Sequence, residues 1–129
     1  MSTPLPELTE AEWAIIKAVW ELEPCAAPSV QEHLHPSMNW TYSTVRTLMD
    51  RMVAKGLLRA EKLRNLTLYR SVVTREQARQ GELQYALHHA FDGALAPMVQ
   101  SLIETRDLTP KELEEIEALL RSKRRRPAR

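Results

Sequence analysis

Glycine is scarce, with three residues in a chain of 129. That excludes a glycine-rich loop of the kind that cradles nucleotide phosphates. Cysteine occurs once, at Cys25, so no intrachain disulfide can form and the composition fits a reducing cytoplasm. No apolar run approaches the ~18 residues a membrane helix needs. The opening Met1-Ser2-Thr3-Pro4 lacks the basic and apolar pattern of a secretory leader. The expectation is a cytoplasmic chain with no membrane partner. Aromatic residues are few (three Trp, three Tyr and one Phe), so the core must be mostly aliphatic.

A catalytic constellation is also lacking. Cys25 has no sequence-local partner that would make it a nucleophile. Cys25, His33 and His35 sketch a metal site, but residues two apart on a helix point to different sides, and no fourth ligand is evident. His88 and His89 diverge in the same way, and Glu114 and Glu115 read as a solvated helix face. No cofactor, no metal and no enzymatic activity are therefore expected.

Charge is present, and it is segregated. The formal net charge is only +1. Residues 1–37 carry net −5, residues 38–75 net +6, residues 76–120 net −6, and the last nine residues net +6. A local basic block between acidic flanks is an electrostatic footprint for a polyanion, although a charge run alone can equally be a solvated face.

The basic block holds the most informative stretch, Thr41 to Leu58. Val45, Leu48, Met49, Met52 and Val53 recur at helical spacing and are expected to be buried. Ser43, Arg46, Thr47, Asp50 and Ala54 fall on the opposite face. Thr41 is placed to cap the helix start and Gly56 to end it. Two β-prone runs follow, Leu57 to Leu63 and Thr67 to Val73, joined around Arg64-Asn65-Leu66. Asn65 suits the turn because asparagine tolerates left-handed backbone. A lone hairpin is marginal in water, so it must pack on the helices.

Before this stretch, Thr9 and Glu12 have capping-box spacing and Leu8 and Trp13 hydrophobic-staple spacing. They open a first helix that runs to about Glu21, with Trp13, Ile16, Val19 and Trp20 as core residues. Ser29 and Glu32 repeat the box and open a short second helix to about Leu34, which Pro36 stops. Two helices across a short polar turn, the second rich in hydroxyls, match a helix-turn-helix. After the hairpin, Thr74/Gln77 and Thr109/Glu112 mark further helix starts. Asp92-Gly93 breaks the helix begun at Thr74, and Ala94 to about Thr105 forms the next, with Pro97 harmless in its first turn. Arg121 to Arg129 reads as a frayed basic tail.

The expected architecture is mainly α with a small β-hairpin wing: a winged helix-turn-helix over 1–75, a three-helix dimerisation region over 76–123 and a basic tail over 124–129. Three amphipathic helices in so short a piece bury little surface alone. Pairing their stripes with a second copy is favoured over packing them back onto the winged helix. The interface residues are then Leu83, Leu87, Phe91, Leu95, Met98, Val99, Leu102, Ile103, Leu113, Ile116 and Leu120.

The hydroxyl face gives the DNA-binding candidates. Ser43, Thr44 and Thr47, with Thr41 at the cap, can donate to and accept from base edges or phosphates. Arg46 and Arg51 can reach phosphate or a guanine edge. Tyr42 either contacts phosphate through its hydroxyl or packs as core. Lys62, Arg64 and Asn65 at the hairpin tip reach the adjacent backbone or minor groove. Arg59 and Arg70 lie on the strands and either could instead pair with Glu61. A winged helix can also serve as a protein-interaction module, but the positive charge of residues 38–75 favours double-stranded DNA.

Three stretches carry a resemblance to a known family. They are Leu8-Thr9-Glu10-Ala11-Glu12-Trp13 with Trp20, then Thr44-Val45-Arg46-Thr47-Leu48 with Arg51-Met52-Val53-Ala54-Lys55-Gly56-Leu57, and last Asp107-Leu108-Thr109-Pro110-Lys111-Glu112-Leu113. Over roughly Leu8 to Lys123 the chain resembles the penicillinase-repressor family of bacterial winged-helix regulators. The resemblance implies a homodimeric transcriptional repressor that reads a palindromic operator with TACA/TGTA-like half-sites through its third helix. It implies DNA contacts by Thr44, Thr47 and Arg51. Copper-responsive members carry Cys-x-Cys pairs that this chain lacks. Members inactivated by a regulatory protease are cut at an Asn-Phe bond, and the aligned position here is Ser101-Leu102.

Overall fold

The structure is a computed structural model and describes residues 6–125. It is mostly helical: α1 (Glu10–Leu22), α2 (Ala27–Met38), α3 (Tyr42–Ala54), an antiparallel hairpin of β1 (Leu58–Leu63) and β2 (Leu66–Ser71), then α4 (Arg75–Phe91), α5 (Leu95–Glu104) and α6 (Pro110–Arg125). The chain forms two compact units, Met1–Ala86 and Leu87–Arg129. The opening Met1-Ser2-Thr3-Pro4 and the tail residues Arg126 and Arg129 lie outside the described residues.

In the first unit, α1, α2, α3 and the hairpin enclose one aliphatic core. Ile15, Ile16 and Val19 of α1 meet Val30 of α2, Val45, Met49 and Met52 of α3, and Leu58 and Tyr69 of the hairpin in a single buried cluster. Two of the three capping boxes expected in this unit form, those of α1 and α4. Thr9 Oγ1 accepts from the Glu12 amide and Glu12 Oε1 accepts from the Thr9 amide. Thr74 and Gln77 do the same for α4. Gly56, at φ 82°, takes the left-handed position just beyond α3.

Several expectations are corrected. Helix α2 begins at Ala27 and ends at Met38, so it extends past both expected ends. Pro28 sits in its first turn, where no N–H is needed, and this pre-set start leaves Ser29 inside the helix. Pro36 falls in the last turn, where its missing bond frees only the exposed carbonyl of Glu32, and Asn39 at φ 53° closes the helix instead. Trp13 and Trp20 are half-buried at the edge of the core, edge to face at 6.3 Å. Leu48 and Val53 are likewise only half-buried. The Trp20 indole donates to the Val73 carbonyl at 2.9 Å and to Ser71 Oγ at 3.1 Å, tying α1 to the end of β2.

In the second unit, α5 and α6 have no buried residue. Leu95, Val99, Leu102 and Ile103 on α5, and Leu113, Leu119 and Leu120 on α6, are all exposed in the single chain. Thr109 and Glu112 form the third capping box. Residues Arg121 to Arg125 belong to α6 rather than to a frayed tail. Cations in a last turn face the negative end of the helix dipole, which favours that extension. Among the described residues no helix is long and apolar enough to cross a membrane.

Candidate nucleic-acid interface

Helix α3 presents its polar face from a built start. Thr41 Oγ1 accepts from the Thr44 amide at 3.2 Å, donates to Thr44 Oγ1 at 3.1 Å, and lies 3.2 Å from Ser43 Oγ. Three hydroxyls thus cluster at the positive end of the helix dipole, where an anion is favoured. Thr41, Tyr42, Ser43, Thr44 and Thr47 are all exposed. The turn leading in is held by Gln31 Nε2, which donates to the Trp40 carbonyl at 3.0 Å.

A second group runs down the same face. Arg46 Nη1 donates to the Tyr42 hydroxyl at 3.2 Å, and Arg46 Nε lies 3.3 Å from both Asp50 oxygens. Tyr42 is 45% exposed, so it is no core residue. The Tyr69 hydroxyl of β2 donates to Asp50 Oδ1 at 3.0 Å. Burial, reinforced by the Asp50 carboxylate, pushes the Tyr69 hydroxyl up to about 12. The Tyr42 hydroxyl, the Tyr69 phenolic oxygen and Asp50 together hold the Arg46 guanidinium above its ordinary value. Arg51, one turn further, is exposed, and its guanidinium has no ion-pair partner among the described residues.

The hairpin carries the remaining candidates. Leu63 pairs with Leu66, which leaves Arg64-Asn65 as a two-residue turn. Arg64, not Asn65, takes the left-handed backbone, at φ 58°. A tight hairpin turn needs positive φ at its first central position, and the register puts Arg64 there. Lys62, Arg64 and Asn65 are exposed. Arg59 stands directly opposite Arg70 on the face away from the core, and neither pairs with Glu61 among the described residues. Like charges facing each other across a ladder are unfavourable unless an anion joins them.

The position of α3 depends on a contact that the sequence did not reveal. Glu12, buried near the start of α1, forms an ion pair with Lys55, the residue that caps the end of α3. Burial raises the Glu12 carboxyl, but the Lys55 ammonium and the Thr9 amide outweigh it and leave it below the usual value. Its stabilisation is therefore present above the unfolded value, near pH 4.3, and is lost as pH falls through the folded one. Glu12→Gln keeps the capping box, since glutamine serves there too. The variant is expected to be less stable by about 1–2 kcal/mol at neutral pH, because Lys55 keeps some access to water. Thermal melts should show that difference shrinking as pH falls below about 4. A difference that persists undiminished at acid pH would remove the ion pair as its cause.

Leu83 on α4 and Leu95, Val99, Leu102, Ile103, Leu113 and Leu120 beyond it are exposed, while Leu87, Phe91, Met98 and Ile116 are half-buried. The bond Ser101-Leu102 lies inside α5. Among the described residues no three metal-binding side chains converge, and His33 instead lies 3.2 Å from Glu21.

Residues 8–122 match the penicillinase repressor family. The methicillin resistance regulatory protein MecI of Staphylococcus aureus strain N315 is 25% identical over 117 residues, covering 91% of this chain and 95% of that protein. The penicillinase repressor of Bacillus licheniformis is 22% identical over 122 residues, covering 95% of each. Among solved structures, the monomeric form of Bacillus licheniformis BlaI in complex with the blaP half-operator superposes with a TM-score of 0.50 and 22% identity, over 57% of this chain and 89% of that one. At that identity the likeness speaks for a shared winged-helix fold.

Proposed function

The chain belongs to the penicillinase repressor family, whose members are DNA-binding repressors of transcription and not enzymes, and from that membership we propose that it acts as a homodimer on a palindromic operator. Each subunit lays α3 in the major groove and the Arg64-Asn65 tip against the adjacent backbone or minor groove. Thr44, Thr47 and Arg51 contact DNA from the helix, with Thr41, Tyr42, Ser43 and Arg46 beside them. The dimer's two-fold axis matches that of the operator. The protein acts in the cytoplasm, where operator DNA is found.

The observation that carries this reading is the surface of α3 and the hairpin. Exposed hydroxyls and cations lie along one helix face, and the single acid of that helix, Asp50, is paired with Arg46. The relative solved with a half-operator supports the same use of the fold. A protein-interaction module has no comparable need for the Arg59/Arg70 pair and the basic tip.

The second copy is supported by the apolar side chains of α5 and α6 that stay exposed in one chain. Partnering them brings two half-site readers onto one operator. A regulatory protease acting at Ser101-Leu102 would first need α5 to open locally, and the cut would sever the tether between the readers.

A salt titration tests the DNA reading. Affinity for a palindromic duplex with TACA/TGTA-like half-sites is expected to fall by about a thousandfold or more between about 50 and 200 mM salt. Failure of the chain to bind any duplex at the lower salt would exclude a repressor.

A further inference from the structure

We propose that Asp50 and Tyr69 are positioning residues that fix Arg46 as a base-reading side chain of α3. The proposal rests on the DNA-binding reading above and deepens it. The geometry is a relay from core to surface. The Tyr69 ring is 1% exposed within the core cluster. Its amide donates to the Cys25 carbonyl at 2.7 Å and its carbonyl accepts from the Cys25 amide at 3.1 Å, so both backbone and ring are held. From that fixed point its hydroxyl reaches Asp50 Oδ1. Asp50 takes Arg46 Nε, and the Tyr42 hydroxyl takes Arg46 Nη1. Each end of the guanidinium is thereby anchored to a neighbouring turn of the helix.

Two of the five N–H donors of a guanidinium are engaged in this way. The other three remain, including the outer Nη1/Nη2 edge. A guanine presents its O6 and N7 acceptors in one fixed arrangement, so reading it takes a planar fork held in one orientation. A phosphate can be met from many directions, which suits the unanchored Arg51. An i,i+4 ion pair on an exposed helix is weak by itself. What sets this one apart is its third member, a hydroxyl delivered from the core by the hairpin. Asp50 also has a cost in this place, because an unpaired carboxylate facing phosphates repels them. A position tuned only for affinity would not carry it.

The test uses the full chain, an operator selected from a random duplex library, that operator with single base pairs changed in each half-site, and a non-operator duplex. Arg46→Ala is expected to lose about five- to a hundredfold of discrimination at one base pair per half-site. Tyr69→Phe keeps the ring and removes one neutral hydrogen bond, so it should lose about two- to tenfold at that same base pair. Its affinity for the non-operator duplex should stay unchanged. Asp50→Asn should lose discrimination at the same base pair while binding the non-operator duplex more tightly. In the Arg46→Ala background, Tyr69→Phe should have no further effect on discrimination, a non-additivity that mere support of the fold would not give. Asp50 is exposed, so its variant carries the test should Tyr69→Phe fail to fold. Unchanged discrimination in Asp50→Asn, or a Tyr69→Phe loss that persists without Arg46, overturns the positioning role while leaving DNA binding intact. A wild-type chain that selects no operator overturns the DNA-binding reading itself.

Discussion

A chain carrying Leu102→Asp is expected to sediment as a monomer and to bind a palindromic duplex about 10²–10⁴-fold more weakly than the wild type. Leu102 is 57% exposed in the single chain, so a carboxylate is well solvated there and the fold should survive. In a dimer the same carboxylate would be driven into an apolar contact between copies without a partner. The loss follows from geometry rather than from any change in the reading surface. Two linked half-site readers benefit from a high local concentration after the first has bound, and separated readers do not. Affinity for an isolated half-site should therefore stay within about twofold of the wild type, since distant sites act independently. Sedimentation velocity checks the assembly and a binding titration checks the affinity. Intact dimers of the variant would move the interface away from α5.

The second large effect lies in the core. Met49→Ala should lower the stability of the first unit by about 2–5 kcal/mol, because it deletes a fully buried side chain and leaves a cavity. Against a total of about 5–15 kcal/mol for a domain, that is a large fraction. The melting temperature should fall by about 8 °C or more. Met49 sits on the inward side of the helix whose outward side holds Arg46 and Thr47, so the variant should still bind operator well below its melting point. Circular dichroism melts give the first number and titration at low temperature gives the second. A melting temperature within about 2 °C of the wild type would show that the core closes over the gap.

Much of this fold is local and so could be read along the chain. The boxes at Thr9/Glu12, Thr74/Gln77 and Thr109/Glu112 need only a three-residue spacing, and all three form. The buried Val45, Met49 and Met52 follow from the period of one helix. Where local signals compete, spacing alone misleads. Ser29/Glu32 has the same spacing, yet Pro28 pre-sets an earlier start and the serine never caps. The turn shows the same limit, since residue type favoured Asn65 for left-handed backbone while strand register assigned it to Arg64.

The candidate site divides along the same line. The hydroxyls of Thr41, Ser43, Thr44 and Thr47 were visible because a single helix aligns them. The pairing of Arg46 with Asp50 was within reach, since the two are four apart. Tyr69 was not. Its neighbour Leu68 is equally apolar, and only the pairing with β1 decides which of them turns inward. Lys55 and Glu12 lie 43 residues apart, and no local pattern joins them. The apolar stripes of α5 and α6 are plain in the sequence, and in the single chain they stay exposed.

The single-residue bridge between Cys25 and Tyr69 has a mechanical consequence. It clamps β2 at Tyr69, three residues from the Leu66 end of that strand, where the turn lies. Beyond that clamp, no hydrogen bond or ion pair among the described residues joins Glu61 to Leu68 to a helix. The hairpin is thus a cantilever: stiff where Tyr69 enters the core, increasingly compliant toward Arg64. Thermal motion at the tip therefore bends the wing about a fixed root, and the tip can follow a surface of varying width without disturbing the helix beside that root.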